Sequence, residues 1–190
     1  MAIAEPETQP KIYAGMPISE EELMRLPKDG RKWELVDGRL TEVPTGIRHE
    51  EIGINMIALF LPWARGRGIL TAGQGGFRMA DGNVRAPDVS FTRKERFPGG
   101  HAPDAFGDLA PDLCVEVIPP SEKPADMARK VREYFDGGAQ QVWHVLPETQ
   151  RVVVFTSPTE TRTLNADDTL AAEGVLPGFA CRVAEIFVRE

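Results

Sequence analysis

Two acids stand where acids are seldom found. Glu116 lies in the middle of the apolar run Asp-Leu-Cys-Val-Glu-Val-Ile at 112–118, and Asp88 heads Asp-Val-Ser-Phe directly after Pro87. An ionised carboxylate taken out of water is costly unless a cation or a metal neutralises it. If the two runs are neighbouring strands the acids converge, and a pair of carboxylates is the minimum for a hard cation such as magnesium. Water bound to such an ion is acidified and can attack a phosphodiester phosphorus. The same residues admit plainer readings, in which Glu116 faces solvent on an edge strand or pairs with a neighbouring arginine.

The elements that must position these acids follow from apolar spacing. Ser19 with Glu22 is a capping-box signature at the start of a short helix that ends before Pro27. Trp-Glu-Leu-Val-Asp-Gly-Arg-Leu-Thr-Glu-Val reads as a hairpin turning at Asp37-Gly38, since both central residues of such a turn take positive φ. Ile52, Met56, Leu59 and Phe60 recur at helical spacing between Arg48 and Arg65, with Pro62 as a kink or stop. Strands are expected at Ile-Leu-Thr-Ala-Gly, Gly-Gly-Phe-Arg-Met-Ala and Val-Arg-Ala-Pro-Asp-Val-Ser-Phe, then a Pro- and Gly-rich loop from Phe97 to Pro111 that is long enough for a lid or partner surface. The run 112–118 suits a buried central strand. A second amphipathic helix is expected over Pro124 to Phe135, stopped by Gly137-Gly138, with strands Gln-Val-Trp-His-Val-Leu and Arg-Val-Val-Val-Phe-Thr after it. Strand, helix and strand in that order predict an α/β fold with a mixed central β-sheet flanked by helices.

Composition bounds the rest. At 190 residues with 42% hydrophobic and 27% charged residues, the chain is expected to form one globular domain over 18–190, preceded by a flexible or surface-draped arm at 1–17. No apolar core follows a basic start at the N-terminus, and the longest apolar run, Met-Ile-Ala-Leu-Phe-Leu-Pro-Trp-Ala, is far short of a membrane span. A cytoplasmic protein without a membrane partner is expected. Cys114 and Cys181 read as two buried reduced thiols rather than a disulfide or zinc site. The net charge of -7 is unevenly spread: residues 48–96 hold eight Lys or Arg against five Asp or Glu, whereas 97–190 hold eight against fifteen. The middle of the chain is thus the part able to face a polyanion.

Pro87-Asp88 followed by Glu116-Val117-Ile118 resembles the PD-(D/E)XK nuclease signature. More closely, the chain is similar to the Uma-type family of putative restriction endonucleases within that superfamily. The resemblance runs from about Met16 to Phe187 and rests on Trp-Glu-Leu-Val-Asp-Gly-Arg-Leu, a helix led by His49, Ala-Pro-Asp-Val-Ser-Phe, and Pro-Asp-Leu-Cys-Val-Glu-Val-Ile-Pro-Pro-Ser-Glu. It continues with Asp126, Lys130 and Tyr134 spaced four apart and with Val-Leu-Pro-Gly-Phe near the end. It implies a restriction-endonuclease-like core, a magnesium or manganese ion on Asp88, Glu116 and the Val117 carbonyl, and Glu34 as a further ligand, directly or through water. His49 is implied at the scissile phosphate or in proton transfer; on its own it reads as a surface histidine at a helix start. The lysine expected two residues after the Glu is here Ile118, so the resemblance implies that Lys130 supplies the charge instead; the alternative is a solvated lysine paired with Asp126. Pro119 replaces a usual serine, and Gln141-Val142 stand where Glu-Tyr is common.

The readings that follow are a metal-dependent DNA endonuclease acting as a homodimer on weakly or transiently bound DNA, a catalytically decayed nuclease-fold binding module, and a dimerisation domain. His101 and His144 have no second ligand-type residue at metal-binding spacing.

Overall fold

The computed structural model describes residues 12–27, 29–43 and 45–189. In chain order the elements are α1 (Glu20–Met24), β1 (Trp33–Val36), β2 (Arg39–Glu42), α2 (Ile47–Ala64), β3 (Gly68–Ala72), β4 (Phe77–Arg78), β5 (Val84–Arg85) and β6 (Val89–Arg93). Then follow β7 (Leu113–Val117), α3 (Pro124–Asp136), β8 (Gln141–Leu146), β9 (Arg151–Phe155), β10 (Thr161–Leu164), β11 (Thr169–Ala172), β12 (Leu176–Arg182) and α4 (Val183–Ile186).

These strands form a six-stranded sheet in the order β10-β9-β8-β7-β6-β3, a four-stranded sheet in the order β2-β1-β5-β4, and the pair β11-β12. The large sheet is mixed: β7 and β8 run parallel while its other pairs are antiparallel. Parallel neighbours need a crossover, and α3 is that crossover. The strand at 113–117 is central and buried at every residue, as its apolar run requires. Alternation then sorts its side chains, because successive residues point to opposite faces. Leu113, Val115 and Val117 join the core beneath α2, where Ile52, Met56, Phe60 and Ala64 pack with Trp143 and Val145. Cys114 turns to the other face, under Val131 and Tyr134 of α3, and Glu116 shares that face.

Several boundaries differ from the sequence expectation. Val-Arg-Ala-Pro-Asp-Val-Ser-Phe is not one strand: β5 belongs to the small sheet and β6 to the large one, with Ala86-Pro87-Asp88 as the passage between them. Proline has no N–H to give a ladder, so the break falls where the sequence puts it. Of Gly-Gly-Phe-Arg-Met-Ala only Phe77–Arg78 is strand. The hairpin turn forms as expected, with Asp37 at φ 52° and Gly38 at φ 70°, and Ser19 and Glu22 complete their capping box. Pro62 sits within the last turn of α2 and neither ends nor interrupts it.

Of the N-terminal arm, residues 1–11 lie outside the described residues. Residues beyond them are tied to the hairpin: Gly15 N–H donates to the Leu40 carbonyl at 2.7 Å and Ile18 N–H to that of Gly38 at 3.0 Å. Both cysteines are free, Cys114 buried and Cys181 only partly so. No helix among the described residues is long and apolar enough to cross a membrane.

Candidate active site

The passage from small to large sheet brings Asp88 to the end of β6. There Val89 is registered with Val115, one residue from Glu116 on the neighbouring strand. Asp88 Oδ2 accepts a hydrogen bond from the Val117 N–H at 2.8 Å, which locks the two acid-bearing strands together at the site. Its other oxygen accepts from Lys32 Nζ at 2.7 Å, and His49 Nε2 lies 2.9 Å from Oδ2. Burial alone would push the Asp88 carboxyl up, but the His49 contact and the Lys32 ammonium outweigh it and hold it well below the usual carboxylate range. In return Asp88 raises the His49 pKa above its ordinary value, against the burial that would lower it.

Glu116 is held from α3. The Tyr134 hydroxyl donates a short hydrogen bond to Glu116 Oε1, and Lys130 Nζ lies 3.5 Å from Oε2. Burial raises the Glu116 pKa, with the nearby Asp88 and Glu34 charges adding to it, while Lys130 and Lys32 act in the opposite sense. Burial likewise works against the charge on Lys130, yet Glu116 and then Glu34 keep its ammonium above the ordinary lysine value. Lys130 therefore turns inward to Glu116, and the pairing with Asp126 that its spacing also allowed is not made.

Glu34, on β1, accepts from Arg85 at 2.8 Å with one oxygen and from the Ala86 N–H at 3.1 Å with the other. Arg85 in turn donates to Glu133 at 2.5 Å, and Glu133 also takes Arg129 and Asn83. Three carboxylates, Glu34, Asp88 and Glu116, thus border one cleft of about 420 Å³, each already answered by a built-in cation, with Val117, His49 and Lys130 in its walls.

Four partners here were not singled out from sequence. Lys32 is buried at 6% exposure, although a lysine flanked by Arg31 and a strand start looks like surface; its distance of two residues from Glu34 was the available signal, since such residues share a strand face. Arg85 and Glu133 are buried as well. His144, which no metal-binding spacing singles out, is registered beside Glu116 on the parallel neighbour β8, lines the cleft, and its buried Nε2 has no hydrogen-bond partner among the described residues. Burial and then Lys130 lower its pKa to about 4, so it is neutral at physiological pH. His101 stays in the exposed loop.

Five of the eight bases between residues 48 and 96 are paired with acids. Arg48 pairs with Glu51, Arg78 with Glu20 and Asp108, Arg85 with Glu34 and Glu133, and both Arg93 and Arg96 with Asp112. Charge counting along a sequence misses acids that the fold brings from elsewhere.

The donor atoms bear on which ion could fit here. Asp88, Glu116 and the Val117 carbonyl are hard oxygens, which magnesium and manganese take. Among the described residues no group of three or more His, Cys, Asp or Glu is placed to hold a metal ion by itself.

The α/β fold, a mixed sheet crossed by α3 with Glu116 on β7 and Asp88 just ahead of β6, is shared by a solved structure. The crystal structure titled as a putative nuclease belonging to DUF820, from Anabaena variabilis, matches with a TM-score of 0.74 at 18% identity, over 90% of this chain and 98% of that one. The chain belongs to the Uma2 family, described as putative restriction endonucleases, whose model matches residues 20–184. It is a nuclease-like protein. None of the curated proteins matches.

Proposed function

We propose that this protein is a magnesium- or manganese-dependent endonuclease that hydrolyses DNA phosphodiester bonds, binding its substrate weakly or transiently. The observation that carries the reading is the convergence of Asp88, Glu116 and Lys130 on one cleft from three different elements. In this reading Asp88, Glu116 and the Val117 carbonyl are the groups that would hold the ion, whose chemistry there would be to acidify a water and offset negative charge on the phosphate. Glu34, both of whose oxygens are engaged, serves as an outer partner through water.

The chain's own groups do the rest. The Tyr134 hydroxyl fixes the rotamer of Glu116, and the Val117 N–H fixes that of Asp88. Lys130, preorganised and largely withdrawn from water, places a positive charge beside the position a phosphoryl oxygen takes. This is the duty Ile118 cannot perform, since an aliphatic group neither polarises water nor stabilises an anion. His49, raised in pKa by Asp88, offers a proton at the mouth of α2 to a phosphate oxygen.

One observation favours a second reading, a decayed binding module: Lys32 already neutralises Asp88 at 2.7 Å, where a metal would have to share or displace it. Supercoiled plasmid incubated with magnesium or manganese separates the two. The nuclease reading expects nicked and linear products from wild type and none from Glu116→Ala. Inert wild type with both ions, together with undiminished DNA binding, supports the module.

A further inference from the structure

The outer face of α2 carries a pattern that the cleft does not use. Ile47, Glu50, Ile54, Ala58, Leu61 and the capping Arg65 follow one another at spacings of three or four residues, and all are exposed. Such spacing puts them on one stripe of the helix. Ile47 is 92% exposed, Ile54 66% and Leu61 41%, while the opposite face is sealed in the core. Val188 extends the apolar surface: it is 51% exposed, and its carbonyl accepts from Asn55 Nδ2 at 3.0 Å.

The stripe is self-complementary when a second copy runs antiparallel to it. With the twofold axis between residues 57 and 58, Ile54 meets the Leu61 position of the other helix and Glu50 meets its Arg65 position. The small Ala58 falls at the crossing, where close approach is needed. Among the described residues neither Glu50 nor Arg65 makes an ion pair or a side-chain hydrogen bond within its own chain. An acid at one end of an apolar stripe and a base at the other satisfy each other twice in a twofold pair and not at all in a parallel one.

We infer that α2 is a homodimer interface, formed by antiparallel packing of this stripe against the same stripe of a second copy. Ile54 and Leu61 supply the apolar contact, and Glu50 to Arg65 across the axis sets direction and register. The two His49 residues, and with them the two clefts, then lie about 25 Å apart along the paired helices at 1.5 Å rise per residue. The inference does not depend on whether the clefts are catalytic.

Sedimentation of the full chain across the micromolar range tests it, with circular dichroism as the control for folding. Wild type is expected at twice the 21.0 kDa chain mass, and Ile54→Asp at the chain mass. Glu50→Arg alone places like charges across the axis twice and is expected to weaken the dimer by about tenfold. Glu50→Arg combined with Arg65→Glu restores the pairing and is expected to recover it. The double variant keeps the measurement decisive if Ile54→Asp fails to fold. Monomeric wild type overturns the inference, as does a dimer indifferent to Ile54→Asp, or a charge reversal at Glu50 that Arg65→Glu does not rescue.

Discussion

Removing Lys130 and the charge of Glu116, singly and together, reads the central pair of the cleft without any assumption about chemistry. Lys130 Nζ is 3.5 Å from Glu116 Oε2, and the two side chains are 14% and 5% exposed. At an effective dielectric constant of about 20, opposite charges at that distance attract by roughly 5 kcal/mol before the cost of withdrawing both from water is subtracted. That cost takes back several kcal/mol, so a net coupling of about 2 kcal/mol is expected. Lys130→Met keeps most of the apolar stem, and Glu116→Gln keeps the shape and the acceptor for Tyr134. Lys130→Met alone leaves a buried carboxylate without its main counter-charge, although protonation of Glu116 caps the loss. Urea denaturation of wild type, both single variants and the double variant closes the cycle. If the two single effects add to within about 0.5 kcal/mol, the pair is not electrostatically coupled and the inward placement of Lys130 carries no energetic weight.

Further expectations concern activity, acid response and packing. Lys130→Ala should slow magnesium-dependent cleavage by about 10²-fold or more, and Lys130→Arg should rescue it poorly because the broader guanidinium does not fit the ammonium's place; equal cleavage rates on plasmid would remove Lys130 from the mechanism. Burial would raise the Glu133 carboxyl, but Arg85 holds it below its ordinary value, so its stabilisation is complete above the unfolded value and fades as pH falls through the lower folded one. The deficit of Glu133→Gln in thermal melts should therefore be full at pH 7 and shrink below about pH 4; a deficit constant down to pH 3 would contradict the ion pairing. Gly68→Ala should cost roughly 1–3 kcal/mol, because a Cβ there would stand 2.3 Å from the Thr92 carbonyl oxygen and 2.5 Å from the Phe91 ring; an unchanged melting temperature would mean the strand yields freely. Phe60→Ala, which removes a ring set edge-on to Phe179 at 4.9 Å, should cost about 3–5 kcal/mol in the same assay, and a loss under about 1 kcal/mol would show that the core collapses around the gap.

The acids of the site were legible because each breaks a rule that apolar runs otherwise keep. Glu116 sits among residues buried at every neighbouring position of its strand, and Asp88 follows a proline that forces a boundary. Ile118 pointed to Lys130 only through the family resemblance, since helical spacing alone allowed an equally good partner in Asp126. Lys32, Arg85 and Glu133 were not legible, and the reason is long-range: each is buried by an element from 48 to 56 residues away. Spacing from Glu34 is the one local hint for Lys32, whereas the partners that seal Arg85 and Glu133 come from elsewhere in the chain. The division of one apparent strand between two sheets was hidden for a related reason, because alternation persists across Pro87 while the pairing partner changes.

That division at Pro87 means the cleft is a seam between two bodies. Lys32, Glu34 and Arg85 arrive with the small sheet, while Glu116 and His144 arrive with the large one, and Lys130 with the helix packed on it. Three residues of backbone, Ala86-Pro87-Asp88, carry the direct passage from one sheet to the other, and the carboxylate of the last is gripped from both sides, by Lys32 and by the Val117 N–H. The acids and bases of the cleft are thus contributed from both sheets and meet where the two dock. On the proposed function a cation or phosphate entering the seam would bridge the two sheets, and slower amide exchange at 84–86 and 88–89 on adding magnesium would register it.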